Sequence, residues 1–362
     1  MNGPPPTGTV HVTVATPLEQ ELAGRIAATG PRVEVAYDPA LLPPARYPSD
    51  HKGDPGFRRG PAGERRWREL LAGAEVLFGV PGDSAEGLAA AVRGLPRLRW
   101  VQATSAGAGQ QVRAAGLARA DLERVAVTSA SGVHAGPLAE FCLFGLLAFA
   151  KGWRRLERDR DRRRWDHYAV SELRDRTALI VGLGHVGAEV ARLARCFGMR
   201  TVAVKRHPDR SPARRRGSAD DRVDELHPTS RLHDLVGGAD AVVVTLPLTR
   251  ETEGLVDRAA IARMRPAAVL VNVGRGGVVD EAALVEALEA GRIGGAALDV
   301  TATEPPPASS PLWHLDNVLL SPHTMALVER ENERIVALFV ANLRRWLAGE
   351  PLEHRVDPDL YY

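Results

Sequence analysis

Lysine is almost absent from this chain. Of 47 Lys plus Arg residues only Lys52, Lys151 and Lys205 are lysines, and together with 35 Gly and 26 Pro this reads as a GC-rich coding bias without chemical meaning. Charge of one sign is lacking too. The 45 Asp plus Glu leave a formal net charge of +2, which excludes a global field for nucleic acid or another polyanion. The two cysteines, Cys142 and Cys196, lie in apolar or helical surroundings, so neither a disulfide framework nor a zinc site is expected, and both read as core thiols. Long hydrophobic runs are missing as well. The longest, Phe141–Ala150, has ten residues, against roughly 20 for a membrane span. The N-terminal MNGPPPTG has no basic segment followed by an apolar one, so no secretory signal is expected. These absences leave a soluble, cytoplasmic protein of two or three domains at about 100–200 residues each, without membrane or nucleic-acid partners and without a metal, and point to an enzyme.

What is present is a rhythm. Short β-branched runs alternate with helix-length segments, the pattern of βαβ units and a parallel sheet. The first third offers strands over Thr9–Ala15, Val33–Ala36, Val76–Val80, Leu98–Ala103 and Val125–Ser129. Pro43–Glu64 is dense in Pro, Gly and charge and reads as a long surface loop. From Pro137 to Trp165 a helix-rich stretch has an apolar half and then a basic half interspersed with acids, which reads as solvated or subunit-facing. A second series follows: Thr177–Val181, Thr201–Val204, Ala241–Leu246, Val269–Val273, Ala296–Leu298 and Val318–Leu320. Ile335, Leu338, Phe339, Leu343, Trp346 and Leu347 follow helical spacing, so an amphipathic helix closes the chain.

Thr177–Val181 runs directly into Gly182-Leu-Gly184-His185-Val186-Gly187 and then a helical pattern. A GxGxxG between strand and helix is a dinucleotide fingerprint: the first glycine makes the turn, the second admits the pyrophosphate, and the third lets helix pack on strand. Backbone N–H groups at the helix start hold the anion. His185 lies inside the loop and is expected to pack beside the diphosphate without a chemical role. The next strand ends not in the carboxylate that would hold a ribose 2′-hydroxyl but in Lys205 and Arg206, a pair suited to a 2′-phosphate. NADP(H) is therefore favoured over NAD(H).

Three further segments end strands: Val271–Asp280 (VNVGRGGVVD), Ala297–Pro305 (ALDVTATEP) and Leu320–Thr324 (LSPHT). With the glycine fingerprint and Thr245–Asp257 (TLPLTRETEGLVD) they make the chain resemble the D-isomer-specific 2-hydroxyacid dehydrogenase family, from about Val76 to the last helix. Trp100–Gly109 and Pro311–His323 look most like its glyoxylate/hydroxypyruvate reductase branch. The resemblance implies an α/β architecture of a Rossmann-type doubly wound cofactor domain (132–325) and a smaller flavodoxin-like substrate domain (1–131, completed by 326–362), with the active site in a cleft between them. It also implies a homodimer through the Pro137–Trp165 helices.

The family's catalytic trio maps onto Arg275, Glu304 and His323. Reducing a 2-oxo acid develops negative charge on the carbonyl oxygen, so a proton donor such as His323 is needed. Glu304 favours and orients the imidazolium, and the Arg275 fork binds the substrate carboxylate or carbonyl. The resemblance further implies Leu246 and Pro247 at the adenosine, Val273 and Gly274 at the nicotinamide ribose, and Asp299 at the carboxamide. Backbone N–H groups around Phe78-Gly79-Val80 and Ser105-Ala106-Gly107 are expected to receive the substrate carboxylate, with Trp313 walling the pocket. The chain departs from the family in Thr324–Leu327 after His323, in the Pro43–Glu64 loop and in Thr301–Thr303. The expected function is hydride transfer between NAD(P)H and a small 2-oxo or D-2-hydroxy acid. A formate dehydrogenase relative is disfavoured because that branch carries Gln where Glu304 stands. The rival of another class is a corepressor-like dinucleotide-sensing protein on the same fold.

Overall fold

The computed structural model describes residues 8–208 and 223–358. They form two compact units, one reaching to His134 and resuming at Leu327, the other running from Ala135 to Ala326.

In the first unit, β1 (Val10–Val14), β2 (Val33–Ala36), β3 (Val76–Phe78), β4 (Trp100–Gln102) and β5 (Ala126–Thr128) build a parallel sheet in the order β2-β1-β3-β4-β5. This is the flavodoxin-like order. Successive side chains point to opposite faces. Val76, Phe78 and Trp100 therefore meet α1 (Gln20–Ala27) and the C-terminal helix (Glu331–Ala348). Leu77, Val101 and Val127 meet Trp67 of α2 (Pro61–Ala72) and Leu88 of α3 (Ala85–Gly94). Phe339 of the C-terminal helix stacks on Trp100 at 4.9 Å and meets Phe78 edge-on at 5.1 Å, a geometry that adds to area burial. Two short helices, α4 (Ala108–Ala114) and α5 (Arg119–Arg124), complete this unit.

The expected Pro43–Glu64 loop is shorter than its composition suggests. Gly60 stands at the N-cap and Pro61 at the first helical position, where proline is tolerated because its missing N–H has no helical partner. The rest of the loop is tied down. The buried Asp50 carboxylate accepts from Arg46 Nε at 2.6 Å and from Gly53 N at 3.0 Å, and His51 Nε2 lies 2.9 Å from Asn332 Oδ1.

In the second unit, β6 (Thr177–Val181), β7 (Arg200–Lys205), β8 (Glu225–Pro228), β9 (Ala241–Val244), β10 (Val269–Asn272), β11 (Gly295–Leu298) and β12 (Val318–Leu320) form a seven-stranded sheet ordered β12-β11-β10-β9-β6-β7-β8. Every pairing is parallel, and the order is doubly wound with its switch point between β6 and β9. One face is covered by α6 (Ala135–Ala150) and α8 (His185–Cys196). The other is covered by α9 (Leu232–Leu235), α10 (Arg258–Arg263) and α11 (Glu281–Glu289). The two sheets match the expected fold class.

The helix-rich Pro137–Trp165 stretch is two helices, with Gly152 at φ 66° breaking it between α6 and α7 (Trp153–Asp161). Two sequence readings change. Strand β8 was not expected, since ELHP has no apolar run; it pairs at the sheet edge through its backbone. Cys196 is exposed at the end of α8 and only Cys142 is buried. No single helix among the described residues is long and apolar enough to cross a membrane.

The Arg46 guanidinium beside Asp50 pulls its carboxyl from an ordinary 3.8 down to about 2. A depressed folded value stabilises above the unfolded pKa and is lost as pH falls through the folded one. Asp50→Asn should therefore lower the melting temperature at neutral pH, and the gap to wild type should shrink between pH 4 and 2 in a thermal denaturation series. A gap independent of pH would contradict this role for the ion pair.

Candidate active site

The glycine loop is built by close approach. Gly182, at φ +106°, leaves no room for a side chain: an added Cβ would lie 2.7 Å from Leu246 Cδ2. A Cβ on Gly187 would lie 2.0 Å from the Gly182 carbonyl oxygen, whereas one on Gly184 would meet nothing within 4 Å. Two glycines thus serve internal packing and the third faces open space where α8 begins. Gly184 is the N-cap and makes no side-chain cap, so the first N–H groups of the helix, from His185 and Val186, are set for an anion. The Val186 side chain packs partly into the core beneath. These residues fit a dinucleotide diphosphate. At the end of β7, Arg206 Nη2 lies 2.5 Å from Glu251 Oε2. Glu251 is well exposed, and a surface pair of this kind is worth about 0–1 kcal/mol, so it can yield to a bound anion.

Leu246 and Pro247 follow β9. Pro247 O accepts from Thr252 Oγ1 at 2.6 Å, and Thr252 Oγ1 also receives Thr249 N at 2.8 Å. Val273 and Gly274 follow β10. Their N–H groups are already taken up, by Val244 O at 3.1 Å and Asn272 Oδ1 at 3.0 Å, so neither is left to donate to a ligand.

Arg275 is positioned from its own neighbourhood. Buried Asn272 donates to Arg275 O at 3.1 Å, and Arg275 Nη1 donates to Gly274 O at 2.8 Å. Burial pushes its pKa down, while the charges of Glu304 and Asp299 push it up. The guanidinium stays protonated. Asn272 was quoted in the sequence motif without a role; its signal is a polar residue closing the otherwise apolar strand VLVN.

Glu304 and His323 meet directly. His323 Nδ1 lies 2.7 Å from Glu304 Oε2, and Glu304 Oε1 accepts from Thr301 N at 3.3 Å. His323 has φ +53°, a left-handed conformation uncommon outside glycine. Buried Asp299 explains how it is held. Its Oδ1 accepts from Ser321 Oγ at 2.7 Å, Thr324 N at 3.0 Å and Met325 N at 3.2 Å. Asp299, expected at the carboxamide, thus has one oxygen committed to the segment carrying His323.

Trp313 is half-exposed on a short turn, its Nε1 donating to Pro307 O at 3.0 Å. No hydrogen bond among the described residues joins it to the trio. In the first unit, Phe78 closes β3 with Gly79 and Val80 just past it, and Ser105–Gly107 lie past the adjacent strand β4. Gly79 corrects one expectation: its N–H donates to Gln102 O at 2.8 Å, because the strand ladder continues one residue past β3, so it is not offered to a ligand. Among the described residues, the N–H groups of Val80, Ser105, Ala106 and Gly107 are donated to no backbone carbonyl. No group of three or more His, Cys, Asp or Glu among the described residues could hold a metal ion.

A family model described as the NAD binding domain of D-isomer specific 2-hydroxyacid dehydrogenase matches residues 143–325. The chain is also 32% identical over 269 residues to an uncharacterised protein in the proB 3′ region of Corynebacterium melassecola, a match over 72% of this chain and 82% of that protein. The chain belongs to the D-isomer specific 2-hydroxyacid dehydrogenase family. Another relative of this family member is glyoxylate/hydroxypyruvate reductase B of Pectobacterium carotovorum, 38% identical over 190 residues, which are 52% of this chain and 57% of the reductase. Among solved structures, a D-isomer specific 2-hydroxyacid dehydrogenase of Xanthobacter autotrophicus Py2, in complex with NADPH and MES, is 29% identical with a TM-score of 0.74, over 98% of this chain and 100% of that one.

The glycine geometry separates folding from binding in this family member. Gly184→Ala should leave the melting temperature unchanged and weaken NADPH binding at least about tenfold, since a methyl there meets only the ligand. Gly187→Ala should lower the melting temperature itself. Fluorescence titration with NADPH beside thermal denaturation distinguishes the two; equal destabilisation would contradict the division.

Proposed function

We propose that this chain reduces a small 2-oxo acid to its D-2-hydroxy acid with NADPH, using Arg275, Glu304 and His323. The observation that carries the reading is the 2.7 Å contact between His323 Nδ1 and Glu304 Oε2, in the same unit as the partly buried Arg275 on which the Glu304 charge acts. With Nδ1 turned to the Glu304 carboxylate, His323 is oriented to present Nε2 as the general acid. The nicotinamide, when bound, supplies the hydride. His323 donates its proton to the carbonyl oxygen as negative charge develops there. Glu304 keeps the ring in that tautomer and compensates its positive charge. Arg275, desolvated and oriented by its backbone clamp, binds the substrate carboxylate and polarises the carbonyl.

Gly184 and the N–H groups of His185 and Val186 would hold the diphosphate, with Gly182 and Gly187 shaping the loop beneath it and Leu246 and Pro247 beside the adenosine. Lys205 and Arg206 favour NADP(H) over NAD(H), supported by the NADPH bound in the Xanthobacter relative. The reductase relative from Pectobacterium supports glyoxylate and hydroxypyruvate as substrates. The N–H groups of Val80 and Ser105–Gly107 are the donors proposed for the substrate carboxylate, and Trp313 the wall of its pocket. A homodimer through α6 and α7 and a cytoplasmic location belong to the same proposal.

Oxidation of NADPH and of NADH, followed optically with glyoxylate and hydroxypyruvate, tests this directly. His323→Ala should lose about two to four orders of magnitude in kcat, the usual range for a positioned acid, while binding NADPH as wild type does. Glu304→Gln removes the carboxylate that His323 Nδ1 contacts, so kcat should fall by about tenfold or more while NADPH binding stays as in wild type. NADPH binding without turnover of any 2-oxo acid would replace this reading with a dinucleotide-sensing one.

A further inference from the structure

Glu304 stands on a turn that belongs to no helix or strand. The backbone passes from β11 through Asp299 into Thr301–Thr303, and Ala302, Thr303 and Glu304 are all exposed. An acid–base pair keeps its rate only while its groups stay in register, and a displacement of about 1 Å can cost on the order of a hundredfold. The 2.7 Å contact between Glu304 and His323 therefore needs something to hold the turn.

Two of the turn's hydrogen bonds are internal. Thr301 Oγ1 donates to Thr303 O at 2.8 Å, and Thr301 N donates to Glu304 Oε1 at 3.3 Å. They shape the turn without fixing it to the rest of the unit. A third reaches outside it: Ala302 N donates to Glu281 Oε2 at 2.7 Å. A backbone N–H on a carboxylate is among the stronger hydrogen bonds a protein makes. Glu281 is a firm base for it. It opens α11 directly after Asp280, whose own side chain caps the helix by accepting from Ala283 N at 3.0 Å. With the helix start served by Asp280, the Glu281 carboxylate turns instead to the Ala302 peptide.

The same peptide is confined by packing. A Cβ on Gly276 would lie 2.0 Å from the Thr301 carbonyl oxygen and 2.4 Å from Ala302 N, so the Thr301–Ala302 peptide lies directly against the residue after Arg275. One peptide bond thus registers the stretch after β10, which carries Arg275 and Glu281, with the turn after β11, which carries Glu304.

We propose that Glu281 is a positioning residue for the 2-oxo acid reduction: by accepting the Ala302 N–H it holds the Thr301–Thr303 turn against Gly276 and keeps the Glu304 carboxylate on His323. The assignment rests on the proposed role of Glu304, through which Glu281 acts.

The test is a double-mutant cycle between Glu281→Ala and Glu304→Gln, read as kcat per NADPH-binding site with glyoxylate and hydroxypyruvate. Glu281→Ala alone should lower kcat about tenfold, with KM for the 2-oxo acid and NADPH affinity within about twofold of wild type. In the Glu304→Gln background the same change should cost less than about twofold, since the turn no longer delivers a carboxylate. Glu281→Gln keeps an oxygen to accept the Ala302 N–H and should retain most of the wild-type kcat. Amide hydrogen exchange over residues 301–304 reads the clamp apart from turnover: exchange at Ala302 should quicken about tenfold in Glu281→Ala and stay near wild type in Glu281→Gln. That exchange pattern in a protein that reduces no 2-oxo acid would sink the reductase reading alone and support the clamp on the Glu304 turn. Losses that multiply in the cycle, an unimpaired Glu281→Ala, or exchange at Ala302 that Glu281→Ala leaves unchanged would each overturn the assignment.

Discussion

One buried carboxylate oxygen holds the reactive segment in place. Asp299 Oδ1 accepts a hydroxyl from two residues before His323 and two backbone N–H groups from just after it. Burying an ionised carboxylate is costly, and charge-assisted hydrogen bonds of about 1.5–3 kcal/mol each are what offset it. The left-handed backbone of His323 costs on the order of 1–3 kcal/mol and persists only where its surroundings over-determine it. Asp299 supplies that constraint, and the reward is an imidazole aimed at Glu304.

The same economy of space links the two backbone loops of the second unit. Leu246, at the end of β9, limits both: a Cβ on Gly182 would strike its side chain, and one on Gly274 would lie 2.4 Å from its carbonyl oxygen. The glycine loop after β6 and the arginine loop after β10 are thus registered against one residue between them. Parallel pairing of β6 with β9 and of β9 with β10 brings all three to the carboxyl edge of the sheet, which is where open α/β sheets bind ligands. Arg275 inherits its position from this stacking and from Asn272 below it.

Much of this was legible in the residue order. The glycine fingerprint between a strand and a helix, and the strand-ending motifs around Arg275, Glu304 and His323, are local signals that need no partner to be read. Other features were hidden because their cause is not local. Strand β8 has no hydrophobic alternation and exists through hydrogen bonds to β7. The Gly79 N–H looks available in sequence and is consumed by Gln102 in the neighbouring strand. Arg59 looks like one more cation in an arginine-rich chain until Trp67, on the following helix, desolvates one of its faces.

The sequence by itself determined the alternating βα pattern of parallel sheets and the dinucleotide loop, because periodicity and short motifs are written along the chain, and its resemblance to the family singled out Arg275, Glu304 and His323. The tertiary structure alone decided which polar groups are already satisfied: which N–H groups are consumed by neighbouring strands and which carboxylate clamps the histidine segment. Hydrogen-bond satisfaction and desolvation depend on groups brought together from distant positions, and those arise only when the chain has packed.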